Sequence, residues 1–81
     1  MTVRVLFFST LRSLTGQDAL ERVYPDPLTV ADVLKDLYTV HPELQTWDEQ
    51  LLIAVDLAYA SRETLLKDGQ ELALMPPVQG G

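Results

Sequence analysis

The residues of this chain best suited to chemistry are its last six, Pro76-Pro77-Val78-Gln79-Gly80-Gly81. Pro76 and Pro77 have no N–H and a nearly fixed φ, so they hold the backbone extended, close to polyproline II. Such a segment reaches outward about 3 Å per residue, roughly 15–18 Å in all. Gly80 and Gly81 have no Cβ, so the tip is thin enough to thread a narrow channel. The group it would deliver is the Gly81 α-carboxylate. A carboxylate at neutral pH is a poor electrophile, but as an acyl-adenylate it can be attacked, and sulfur can replace one oxygen. The resulting thiocarboxylate is ionised, soft and nucleophilic, like a thiolate. The chain contains no cysteine, so no side-chain thiol can carry sulfur and no disulfide or thiolate metal site supports the fold.

A glycine pair alone carries little information. At a glycine frequency of about 7%, chance puts a pair at about 0.5% of termini, so the meaning lies in the stem and in the strand that anchors it. Other reactive candidates are few. His41, the single histidine, precedes Pro42 at the end of a helical pattern, where a C-terminal cap explains it better than catalysis. With no second His or Cys it cannot build a metal site. Arg12 reads either as a solvated helix-end arginine or as a charge contact with a partner; exposed pairs contribute only about 0–1 kcal/mol. Phe7, Phe8 and Leu74 are candidates for an apolar docking face, although strand alternation must turn about half of such residues into core. Asp48 and Glu49, beside Trp47, read as a solvated loop. No catalytic side-chain cluster is expected.

These residues need elements to position them. Val3 to Thr10, VRVLFFST, reads as a central strand with both faces largely covered. Leu11 and Leu14 then mark a single helical turn ended by Gly16. Ala19 to Tyr24 alternates as an edge strand returning antiparallel to the first. TVADVLKDLYTV carries one apolar stripe, Val30, Val33, Leu34, Leu37 and Tyr38, with Thr29 as N-cap, Asp32 in the first turn and Pro42 as the stop. PELQTWDEQ is a loop or short helical turn. Leu51 to Asp56 is a buried strand, LAYA a short one after a bend, and Asp68-Gly69 a turn before the last strand, Glu71 to Pro76. One amphipathic helix and a set of half-apolar strands must cover each other. The order β, β, α, β, short β, β therefore predicts an α+β, β-grasp (ubiquitin-like) fold. The helix crosses a mixed sheet, and the first and last strands lie parallel at its centre. Residues 1–75 form that domain and residues 76–81 the extended tail.

The 81 residues make one domain, and 47% are hydrophobic, enough for a compact core. The net charge of −6 rests on 6 Lys and Arg against 12 Asp and Glu; no basic patch can be assembled, which argues against nucleic acid and for a basic partner surface. No apolar run approaches the roughly 20 residues of a membrane span. The N-terminal segment lacks the long apolar core and cleavage site of a secretory signal, so the expected compartment is the cytoplasm.

VLFFSTLRSLTG near the start and LLKDGQELALMPPVQGG at the end resemble the MoaD family, the small subunit of molybdopterin synthase, over almost the whole chain. The resemblance implies a ubiquitin-like sulfur carrier with no bound cofactor. An ATP-dependent MoeB-like enzyme would adenylate the terminal glycine, which is then thiocarboxylated. The tail would enter a MoaE-like large subunit and give its sulfur to cyclic pyranopterin monophosphate, two small subunits flanking a large-subunit dimer. Gly81 matches the sulfur-bearing glycine and Gly80 its threading neighbour. The expected partner contacts are Phe7, Arg12, Leu74, Met75, Pro76, Pro77, Val78 and Gly80, and catalytic side chains belong to the partners. Two positions depart from the family pattern: Asp56 stands where Asn is common, and Met75 where an aromatic can precede the prolines. A flexible thioether still packs well at a partner surface. The alternatives are a sulfur carrier for thiamine synthesis or tRNA thiolation, a protein tag joined through Gly81 to lysines, and an interaction module with an inert tail.

Overall fold

Alternating apolar residues of the first strand share one core with the main helix, Val30–Val40. A computed structural model describes residues 1–77. In strand β1 (Thr2–Phe7), Val3, Val5 and Phe7 are buried while Arg4 is exposed and Leu6 half-buried. The expectation that both faces are covered is thus corrected: the helix lies on one face only, and the other is left open. Helix α1 (Thr10–Thr15) ends at Gly16, whose φ of 72° is left-handed and whose N–H reaches the Arg12 carbonyl at 2.8 Å. Strand β2 (Ala19–Val23) returns antiparallel to β1, with Val5 opposite Leu20.

Helix α2 (Val30–Val40) starts with a reciprocal cap. The Asp32 N–H donates to Thr29 Oγ1 at 3.2 Å, and the Thr29 N–H donates to Asp32 Oδ2 at 2.9 Å, so two otherwise orphaned donors are satisfied. Val30, Val33, Leu34 and Leu37 are buried and join Val3, Val5, Leu72 and Leu74 in one core. Each such side chain contributes about 1.5–3 kcal/mol on burial. His41 is the C-cap residue, as its position implied, with its N–H on the Leu37 carbonyl at 2.7 Å. Its imidazole packs edge-on against Phe7, ring centroids 6.4 Å apart. Pro42 opens a 3-10 helix, Pro42–Gln50, which seats Leu44 in the core.

Two Tyr–Asp–Arg clusters hold α2 from either side. Arg22 donates to both Asp36 oxygens at 3.0 and 3.1 Å, and the Tyr24 hydroxyl donates to Asp36 at 2.7 Å. Burial opposes ionisation of Asp36, but the hydrogen bonds from Tyr24 and Arg22 and the Arg22 charge outweigh it and hold its carboxyl below 3.8. On the opposite flank Tyr38 donates to Asp48, which also pairs with Arg62 at 3.2 Å. The Tyr38 hydrogen bond, against burial and with help from Arg62, likewise lowers the Asp48 carboxyl. Burial and the neighbouring carboxylates raise both phenols. Asp48 is therefore a structural anchor, where the sequence suggested a solvated loop.

Strands β3 (Leu52–Val55) and β4 (Ala58–Tyr59) form a hairpin, and β5 (Glu71–Met75) completes the sheet in the order β2-β1-β5-β3-β4. β5 runs parallel to β1 and antiparallel to β3, the central pairing that the element order predicts. The Asp68-Gly69 turn launches it: the Thr2 N–H donates to Asp68 Oδ1 at 2.7 Å, and the Gly69 N–H to the Thr2 carbonyl at 2.8 Å. Gly69 has φ 84°, a conformation that favours glycine. Among the described residues, no helix is long and apolar enough to cross a membrane.

Candidate functional site: the tail root and the open sheet face

The C-terminal stem leaves from the middle of the sheet. Leu74 is opposite Phe7 on one side and Ile53 on the other, while Met75 is opposite Leu52. One further bond, from the Phe8 N–H to the Leu74 carbonyl at 3.2 Å, closes the β1–β5 ladder. Pro76 follows, and with no N–H it cannot extend that ladder. Pro76 and Pro77 are half-buried at this point. Val78, Gly80 and Gly81, expected to act in the tail, lie outside the described residues.

Strand alternation sorts the expected contact residues. Phe7 and Leu74, taken as partner contacts, are 2% and 0% exposed; they point toward α2 and belong to the core. This corrects both assignments. Their neighbours face the other way: Phe8 is exposed and Met75 half-buried on the open face. Phe8, Ala54, Leu57, Tyr59, Ala73 and Met75 line a shallow groove of about 260 Å³ beside the tail root. Tyr59 is 82% and Leu57 98% exposed. Sequence reasoning missed both; the signal that could have found Tyr59 is its place on the alternating LAYA strand, one residue out of phase with the core.

Away from the tail root the same face becomes charged. Arg4 stands between Glu21 on β2 and Glu71 on β5, with its Nε 3.9 Å from a Glu71 oxygen. Both side chains are about half exposed, so this pair contributes little to stability. Arg12 is on α1, at the end of the sheet from which the stem departs. Its side chain is exposed and sits 3.8 Å from Asp18, so the guanidinium has no strong internal anchor. Ser9, just before α1, holds a positive φ of 55°.

Asp56 carries an unexpected load. Its Oδ1 accepts the Glu71 N–H at 3.0 Å, its Oδ2 accepts Gln70 Nε2 at 3.1 Å, and its own N–H donates to the Glu71 carbonyl at 3.0 Å. The acid thus ties the β3–β4 turn to the start of β5. Among the described residues, no acid–base pair lines the groove at the tail root. The groove can bury apolar surface against another protein beside the point where the stem leaves the sheet.

Comparison with known proteins agrees with this geometry. The molybdopterin synthase sulfur carrier subunit of Escherichia coli K12 is 38% identical over 98% of this chain and 99% of its own. Among solved structures, SAMP1 from Haloferax volcanii superposes with a TM-score of 0.88 at 26% identity, covering all of both chains. The Helicobacter pylori complex of subunits 1 and 2 of the molybdopterin-converting factor contains a chain that matches with a TM-score of 0.71 at 26% identity, again over the full length of both. Residues 5–81 match the ThiS family, nearly the whole chain, and this establishes that the chain belongs to it.

Proposed function

We propose that this chain is the sulfur carrier subunit of a molybdopterin synthase and works in the cytoplasm. The observation that carries the reading is the full-length, 38% identity to a curated subunit of that name, and the stem rooted beside an apolar groove supports it. The Gly81 carboxylate attacks the α-phosphorus of ATP on an adenylating, MoeB-like partner, releasing pyrophosphate. A sulfur nucleophile then displaces AMP and leaves a thiocarboxylate. A MoaE-like large subunit takes in the tail, the thiocarboxylate sulfur displaces an oxygen of cyclic pyranopterin monophosphate, and water cleaves the acyl–sulfur bond, leaving the sulfur on the pterin and returning the Gly81 carboxylate. On this reading ATP belongs to the activating partner, and the carrier binds no cofactor and supplies no catalytic side chain. Phe8, Tyr59 and Met75 cover the large subunit with apolar surface, Arg12 adds a charge contact, and Pro76, Pro77, Val78 and Gly80 occupy the channel leading to Gly81.

Intact mass after incubation with the adenylating enzyme, ATP and a sulfur source tests the proposal. A gain equal to sulfur minus oxygen, lost when Gly81 is deleted, is expected, followed by conversion of cyclic pyranopterin monophosphate when the large subunit is added. Lysine conjugates of higher mass would identify a protein tag instead. Thiocarboxylation without conversion by a competent large subunit would assign the sulfur to another pathway, such as thiamine synthesis or tRNA thiolation.

A further inference from the structure

The β3–β4 hairpin turns on two residues, Asp56 and Leu57, with Val55 paired to Ala58. Both have positive φ, 47° and 71°, the pattern of a type I′ turn, whose second position favours glycine. Asp56 suits the first position, because a short polar side chain tolerates the left-handed region and bonds locally. Leu57 does not suit the second. Its Cβ is strained against the backbone there, and its side chain is 98% exposed. The residue therefore sacrifices backbone comfort and exposes a large apolar group, with no compensating burial among the described residues. The two-residue hairpin requires this backbone conformation but not a leucine in it, and a large apolar residue kept at a strained, exposed position is a pointer to function.

The setting of the turn says what that function is. Asp56 is hydrogen-bonded to Glu71 and Gln70, so Leu57 is fixed relative to β5, the strand that continues into the stem. It stands at the border of the groove formed with Phe8, Tyr59 and Met75. A protein that takes in the stem must cover this groove, and a rigid protruding leucine at its rim will meet that protein too. We infer that Leu57 is an anchor residue that inserts into an apolar pocket of the large, tail-accepting subunit and sets the angle at which the stem is presented. The inference rests on the proposed carrier function and adds to it a specific contact of this chain.

The test compares the full chain with Leu57→Gly, Leu57→Asp and, as a surface control, Leu65→Asp, which alters an exposed leucine outside the groove. Binding to the large subunit is measured by calorimetry, folding by thermal melting, and self-association by sedimentation. Leu57→Gly relieves the turn, so its melting midpoint should equal or exceed that of the unsubstituted chain, while its affinity falls about ten-fold or more, the effect of losing a buried anchor. Leu57→Asp should bind more weakly still, and Leu65→Asp should bind normally. Affinities unchanged in both Leu57 variants would overturn the inference and leave the carrier function standing, as would a clear loss of stability in Leu57→Gly. Self-association abolished by Leu57→Asp, with large-subunit binding intact, would also overturn it by making a second copy the occupant. An unsubstituted chain that fails to bind a competent large subunit would remove both the inference and the function beneath it.

Discussion

Leu74 and Met75 are adjacent in sequence and opposite in role, so alanine at each position should separate folding from docking. Leu74 is fully buried between Phe7 and Ile53. Leu74→Ala removes three carbons; at about 0.8 kcal/mol per buried methylene that is about 2.4 kcal/mol, and the residual cavity raises it to about 3–4 kcal/mol. An 81-residue domain has about 4–12 kcal/mol of stability in total, so the variant stays folded over most of that range. Its melting midpoint should drop by roughly 12 °C or more, at about 4–8 °C per kcal/mol. Met75→Ala alters a half-buried residue of the open face and should cost less than about 1 kcal/mol, yet weaken binding to the large subunit. Urea unfolding followed by the fluorescence of Trp47, the single tryptophan, which packs against the core, reads the stability difference. Calorimetry with the large subunit reads the other half. Equal stability losses in the two variants, or a loss below about 1 kcal/mol for Leu74→Ala, would refute the assignment of Phe7 and Leu74 to the core and of Phe8 and Met75 to the surface.

The Tyr–Asp–Arg clusters give a pH dependence of known sign. Asp36 and Asp48 are held below their ordinary value of 3.8, so their contribution is complete above that value and is lost as pH falls through the lower folded values. Asp36→Asn and Asp48→Asn should each flatten the decline in melting midpoint recorded from about pH 6 to about pH 2; a decline as steep as in the unsubstituted chain would contradict the assignment. At the hairpin, Asp56→Ala loses two accepted hydrogen bonds and leaves an alanine at positive φ, for a cost of about 1–2 kcal/mol in thermal or urea unfolding. Asp56→Asn keeps an acceptor and the tolerance of left-handed backbone, and should stay within about 0.5 kcal/mol of the parent. Thr29→Ala, which removes the N-cap oxygen of α2, should cost about 1 kcal/mol in the same measurement.

Local pattern made much of this molecule legible. The stripe Val30, Val33, Leu34, Leu37 and the Thr29 cap specify α2, because periodicity and capping depend on residues a few positions apart. The single crossover helix likewise requires the first and last strands to meet, and Pro76-Pro77 requires the ladder to stop. Tertiary structure alone decided which face of the sheet is covered. LFF and LALM are apolar at both parities, so only the position of α2 puts Phe7 and Leu74 inside and Phe8 and Met75 outside. Asp48 looked like a loop acid because its partners, Tyr38 and Arg62, are 10 and 14 positions away. The Asp56-Leu57 turn had no glycine to announce it, because its brace comes from Glu71, 15 positions along the chain. Sequence periodicity records neighbours along a helix or strand; contacts between elements arise only when the whole sheet closes, and those contacts choose the surface that a partner meets.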